Sequence, residues 1–165
     1  MIETLVAKFG LIPHPEGGFY KETYRSLGKI SSDSLPQDME GDRNYSTAIY
    51  FLLTSESFSA FHRIKQDEIW HFYDGSPLEV HMISPEGVYS MVEVGRDFEK
   101  GEQPQFMVPA GYWFGSRVKQ GGAFSFVGCT VSPGFDFKDF ELAEFEKLSQ
   151  VFPKHTSIIE QLTRI

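Results

Sequence analysis

The stretch Ala60-Phe61-His62-Arg63-Ile64-Lys65-Gln66-Asp67-Glu68-Ile69-Trp70-His71-Phe72-Tyr73-Asp74-Gly75 decides how this chain folds. It divides into two extended segments, Phe58–Ile64 and Glu68–Tyr73, around the polar turn Lys65-Gln66-Asp67. A strand sends successive side chains to opposite faces. If His62 faces an interior, Phe58, Ala60 and Ile64 face it too. Glu68 then brings Trp70 and Phe72 to the same interior from the next strand. Arg63, Lys65 and Asp67 fall outward or on the turn. The inward set is apolar and aromatic except for one imidazole and one carboxylate. His62 and Glu68 are therefore expected on adjacent strands, in one cavity lined by aromatic residues that include Trp70 and Phe114.

Outward from this stretch, strand signals recur at short intervals. They fall at Tyr45–Thr54, Phe58–Ile64, Glu68–Tyr73, Leu78–Ile83, Tyr89–Val94, Gln105–Val108, Trp113–Val118 and Phe124–Val131, and Gly-, Pro- or Asp-containing turns separate most of them. Eight strands in a row, with no helical period between them, predict a sandwich or barrel of the jelly-roll type. Upstream, Leu5, Val6 and Phe9 share one helical face and Gly10 stops it, which predicts a helix over Ile2–Phe9. Pro13-His14-Pro15-Glu16-Gly17-Gly18 reads as a stiff turn feeding an extended Phe19–Arg25. Residues 27–44 read as an exposed, mobile loop. Downstream of Pro133, helices are expected over Asp139–Leu148 and Ser157–Leu162, with Asp136, Asp139 and Glu141 capping the first.

Composition narrows the class. Of 165 residues, 41% are hydrophobic, 23% charged and 15% aromatic, with 16 Phe, which suits one domain whose rings fill a barrel. The net charge of −8 argues against nucleic acid and anionic membranes as partners. The single Cys129 excludes an internal disulfide and reads as a buried small hydrophobe. With no apolar run of membrane-spanning length and no signal-like leader, the expected location is cytoplasmic.

His62, Glu68 and Gly75 resemble the first signature motif of the metal-binding cupins, and Pro109-Ala110-Gly111-Tyr112-Trp113-Phe114 resembles the second. Ile64 and Phe114 stand where that superfamily places two further metal-binding histidines. Pro13–Ser26, Thr47–Leu53, Gly128–Phe135 and Asp139–Leu142 resemble one cupin subgroup, long carried as a domain of unknown function and similar in structure to the dTDP-4-dehydrorhamnose 3,5-epimerases. The resemblance implies an all-β, single-domain cupin jelly-roll barrel over residues 1–165. It also implies a core at about 45–131, short flanking α-helices and a homodimer.

The chemistry expected from these residues centres on the lumen. His62 with Glu68 is a candidate general-base pair, because a carboxylate fixes an imidazole's tautomer and raises its basicity. Tyr24, Tyr50, Trp70, Phe114 and Gln105 are candidate ligand contacts, and Tyr24, Tyr50 and Tyr73 candidate acids for epimerase-like chemistry. Neither cofactor nor intrinsic metal is expected. Were a metal held, its ligands would be His62, Glu68 and His71, the last brought inward by a β-bulge. The expected function is binding of a small polar organic molecule in the barrel, such as a sugar or nucleotide derivative, with metal-independent isomerase or epimerase chemistry as its enzymatic form. The competing readings are a metal-dependent cupin enzyme such as a dioxygenase, and a non-catalytic binder. His14 reads as a lone loop histidine and Glu16 as part of the turn.

Overall fold

The computed structural model describes residues 1–164. Helix α1 (Ile2–Phe9) is followed by β1 (Ile12–Pro13), β2 (Phe19–Arg25), β3 (Lys29–Ile30), β4 (Arg43–Asn44), β5 (Thr47–Thr54), β6 (Phe58–Arg63), β7 (Asp67–Gly75) and β8 (Leu78–Ile83). Then come β9 (Tyr89–Val94), β10 (Gln105–Val108), β11 (Trp113–Val118), β12 (Phe124–Ser132), β13 (Glu141–Leu142), α2 (Phe145–Val151) and α3 (Thr156–Gln161). All eight predicted barrel strands are present. They form two sheets, one of six strands in the order β1-β2-β5-β12-β7-β10 and one of five in the order β13-β6-β11-β8-β9. β3 and β4 pair separately.

The period of two along each strand sorts the side chains. Phe51, Leu53, Trp70, Val80, Phe114 and Val127 meet between the sheets. Phe61, Ile83 and Trp113 point the other way and pack under Leu148, Ile159 and Leu162 of the C-terminal segment. Leu5 of α1 covers Leu52 and Phe126 on the outer face of the six-stranded sheet. Each of these fully buried large side chains contributes roughly 1.5–3 kcal/mol. The Gly75 of the opening stretch has φ +94°, and a Cβ there would collide with the Phe124 backbone, so the end of β7 requires glycine.

Four expectations are corrected. β6 and β7 are consecutive but lie in opposite sheets, so His62 and Glu68 face each other across the sandwich rather than along a ladder. Phe58 faces outward: Phe114 pairs with His62 while Ser116 pairs with Ser59, so β6 carries an extra residue that flips the register beyond it. The helix expected over Asp139–Leu148 begins only at Phe145, because Asp139 is drawn into an ion pair and Glu141–Leu142 adds a short strand beside β6. Residues 27–44 are anchored rather than loose. Buried Arg43 makes a bidentate pair with Asp139, Nε to Oδ2 and Nη2 to Oδ1 both at 2.8 Å, and donates through Nη1 to the Glu40 and Asp42 carbonyls. Gln66 Nε2 donates to the same Asp139 carboxylate at 2.7 Å.

Candidate functional site

The site begins at the turn between β1 and β2. His14 N–H donates to Gly18 O and Gly17 N–H to His14 O, which closes the turn. Gly17 and Gly18 have φ of +114° and +77°. A Cβ on Gly17 would strike Phe58 O, and one on Gly18 would sit 2.7 Å from Leu52 O. Only glycines let the turn lie this close to β5 and β6. The consequence is at Glu16. Its backbone carbonyl accepts from Ala60 N–H at 2.9 Å, and its carboxylate enters the barrel, where the residue is 6% exposed.

There Glu16 Oε2 lies 2.9 Å from His62 Nε2. His62 Nδ1 lies 2.8 Å from Ala60 O, which can only accept, so Nδ1 carries a hydrogen. Burial works against charge on both partners. The Glu16 carboxylate nevertheless raises the His62 pKa above 6.5, helped by Glu68 and the Ala60 carbonyl. His62, at 2.9 Å, and His14 hold Glu16 below its usual 4.5 against the same burial. The pair is an imidazolium–carboxylate, and both ring N–H groups of His62 are committed to protein acceptors. His14 Nδ1 accepts from Glu16 N–H at 3.1 Å, and burial, opposed by Glu16, lowers its pKa below 6.5.

Glu68 enters from β7, opposite. Burial, opposed by His62 and reinforced by Glu16, raises its pKa to about 7. The Cys129 thiol on neighbouring β12 lines the same cavity, and burial beside Glu68 pushes that thiol well above its ordinary value. His14, Glu16, His62, Glu68 and Cys129 line one cavity of about 50 Å³ with Tyr20, Thr47, Ile49, Ile64, Val131, Phe135 and Phe140. That volume holds about three to five waters at roughly 10–15 Å³ each. Through Tyr20, Thr47, Ile49 and Phe135 it adjoins a cleft of about 570 Å³, also lined by Lys21, Arg25 and Asp136.

Of the residues proposed from sequence, the structure brings His62 and Glu68 together in the lumen. Phe114 packs 4.1 Å, centroid to centroid, from the His62 ring, and Trp70 stands behind it; both are buried core. The other proposed contacts lie elsewhere. Tyr50 and Tyr73 pack with Phe126 on the outer face of the six-stranded sheet, and Tyr24 is an exposed residue of β2. Gln105 is exposed and reaches His71, whose Nε2 meets Thr130 Oγ1 at 2.9 Å. No bulge turns His71 inward, so the contingent set His62, Glu68 and His71 is not assembled. The lumen does not fit a metal: Ile64 and Phe114 offer no donor, Glu16 occupies the His62 Nε2 position, and no metal-holding group of three His, Cys, Asp or Glu occurs among the described residues. Residues that sequence reasoning passed over are Glu16, His14 and Tyr20. The available signal was a Glu directly before two glycines, in a segment already singled out.

Two facing antiparallel sheets around a lumen of converging polar groups define a cupin-type barrel. The chain belongs to the cupin superfamily family described as DUF985, whose model matches residues 3–143. It is 32% identical over 147 residues to the uncharacterized protein YML079W of Saccharomyces cerevisiae, covering 84% of this chain and 73% of that protein. A hypothetical protein from Leishmania major superposes with a TM-score of 0.90 at 39% identity, covering 99% of this chain and 98% of the other. Protein SO0799 from Shewanella oneidensis gives 0.88 at 42% identity, covering 98% and 96%.

Proposed function

We propose that this protein binds a small polar organic molecule in the barrel lumen and that Glu68 is the group that exchanges a proton with it. The observation that carries this reading is the convergence of Glu16, His62, Glu68 and Cys129 in one otherwise apolar cavity adjoining an open cleft. Sites of this kind pair apolar walls with a few placed polar groups. The cavity admits a head group, and the cleft accommodates a larger remainder, such as a sugar.

Metal-independent isomerase or epimerase chemistry is the enzymatic form of this proposal, with a changed assignment. A general base needs a free lone pair within reach of the proton it takes. His62 lacks one, since Nδ1 meets Ala60 O and Nε2 meets Glu16. Glu68 faces the cavity and titrates near neutrality, so it replaces His62 as base or acid, and Tyr20 replaces the outer-face tyrosines as the nearby phenol. His62 with Glu16 acts as a fixed dipole that orients the ligand.

A homodimer is part of the proposal, because a second copy would cover exposed Tyr24, Tyr73 and Met107. A cytoplasmic setting suits the free thiol of buried Cys129. No helix among the described residues is long and apolar enough to cross a membrane.

The test is a thermal-shift and calorimetric screen of sugars, nucleotide sugars, keto acids and small amines against the protein and an Ile49→Trp variant, in which the indole closes the mouth. Ligands that bind the first and not the second support the lumen. Ligands that bind both equally place recognition elsewhere and refute it.

A further inference from the structure

The charges facing the cavity restrict what can enter it. Among the described residues, no Lys or Arg lines it. Its one cation there, His62, is neutralised by Glu16 at 2.9 Å and has no N–H left for a ligand. Glu68 is different. It is nine-tenths buried, it lines the cavity beside the Cys129 thiol, and among the described residues it forms no ion pair. With Glu16 at −1, His62 at +1 and Glu68 at −1, the ionised site sums to −1. A bound anion would face two carboxylates with no free cation among the described residues of the cavity, since Lys21 and Arg25 line only the adjoining cleft. A bound cation would bring the site to zero.

The walls agree with the charge. Phe140 stacks against the His62 ring at 5.2 Å, and Phe135 and Tyr20 complete an aromatic rim where cavity meets cleft. Aromatic faces attract organic cations, by about 2 kcal/mol or more when desolvated. The whole chain carries −8, which steers cations toward it.

We propose that the lumen selects a small organic ammonium group, held against the Glu68 carboxylate, with the alkyl or ring portion of the ligand lying along Tyr20, Phe135 and Phe140. This deepens the lumen-binding reading and rests on it. The other groups facing Glu68 are His62 from β6, Glu16 and His14 from the turn, Cys129 from β12 and Tyr20 from β2. Among them Glu68 is the carboxyl that titrates near pH 7, so ammonium affinity falls as pH drops below about 7 and Glu68 takes up its proton.

Three chain-matched probes separate the charge classes: n-propylammonium, 1-propanol and propionate, each followed by saturation-transfer NMR and calorimetry at pH 8. Propylammonium is expected to bind at least about tenfold tighter than either other probe, the equivalent of about 1.4 kcal/mol. That preference should disappear in Glu68→Gln and in Ile49→Trp, each checked to be folded by its melting transition. Equal or tighter binding of propionate or propanol, abolished by Ile49→Trp, overturns the ammonium proposal and leaves lumen binding standing. Propylammonium binding that survives Ile49→Trp places the cation on the surface and overturns the proposal, as does no detectable binding of any probe.

Discussion

Replacing Glu16 with Gln removes one charge from a buried ion pair and keeps the shape of the side chain. In the parent protein the carboxylate and imidazolium meet at 2.9 Å with side chains 8% and 4% exposed. Two unit charges about 4 Å apart attract by about 4 kcal/mol at an effective dielectric constant of about 20. Desolvation of both ions offsets much of this, but removing one partner leaves the other uncompensated, which costs about 3–5 kcal/mol. His62 has an escape: it can release its proton and accept a hydrogen bond from the amide that replaces the carboxylate. The cost of that release sets the pH dependence. His62 has a raised folded pKa, so its contribution is full below its ordinary 6.5 and is lost as pH rises through the folded value. Glu16 has a lowered one, so its contribution is present above its ordinary 4.5 and is lost as pH falls through the folded value. The deficit of the variant is therefore greatest between these ordinary values. It shrinks by about 1.4 kcal/mol per pH unit between 6.5 and the folded pKa of His62, and levels off above that value. Urea denaturation at pH 5.5, 7 and 8.5 should give a loss of about 3 kcal/mol at the lowest pH, or roughly 6–12 °C in melting temperature, with an unchanged m-value. A loss under about 1 kcal/mol at pH 5.5, or one that grows with pH, would refute the ion-pair assignment.

Glu68→Gln should act in the opposite sense. Its pKa rises on folding from 4.5 to about 7, so the folded state binds the extra proton between those values and stability falls with rising pH. The variant should be about 3 kcal/mol more stable than the parent at pH 8 and lack that slope; a parent-like pH profile would count against a buried, solvent-starved Glu68. Asp139→Ala strands buried Arg43 and should cost about 3–5 kcal/mol in urea denaturation, with faster amide exchange over residues 134–142; exchange unchanged there would show that the clamp does not hold the segment. Pairing Ile64→His with Phe114→His adds two donors beside His62 and Glu68 and should raise affinity for divalent zinc or manganese over the parent by calorimetry. No gain would mean that Glu16 keeps its hold on His62 Nε2.

The reach of the sequence followed the range of the interactions. Strand positions, the N-terminal helix and the inward register of His62, Glu68, Trp70 and Phe114 rest on local alternation, and these were legible. Tyr50, Tyr73, Gln105 and His71 were misplaced or left open because alternation says which residues share a face and not which face is inside. Phe58 was misread because one extra residue in β6 flips the register, and no local pattern marks a bulge. The partner of His62 was missed for a different reason. Glu16 lies 46 positions away by residue number and reaches the barrel through a turn whose closeness depends on two glycines. That long-range contact alters the chemistry. With Glu68 as its partner, His62 would have been a base with a free nitrogen. With Glu16 both its ring N–H groups are taken, and among the described residues lining the cavity Glu68 is the carboxylate without an ion-pair partner. In the proposed reading the group that meets the ligand therefore lies on the sheet opposite His62, and the ligand's charge follows from that placement.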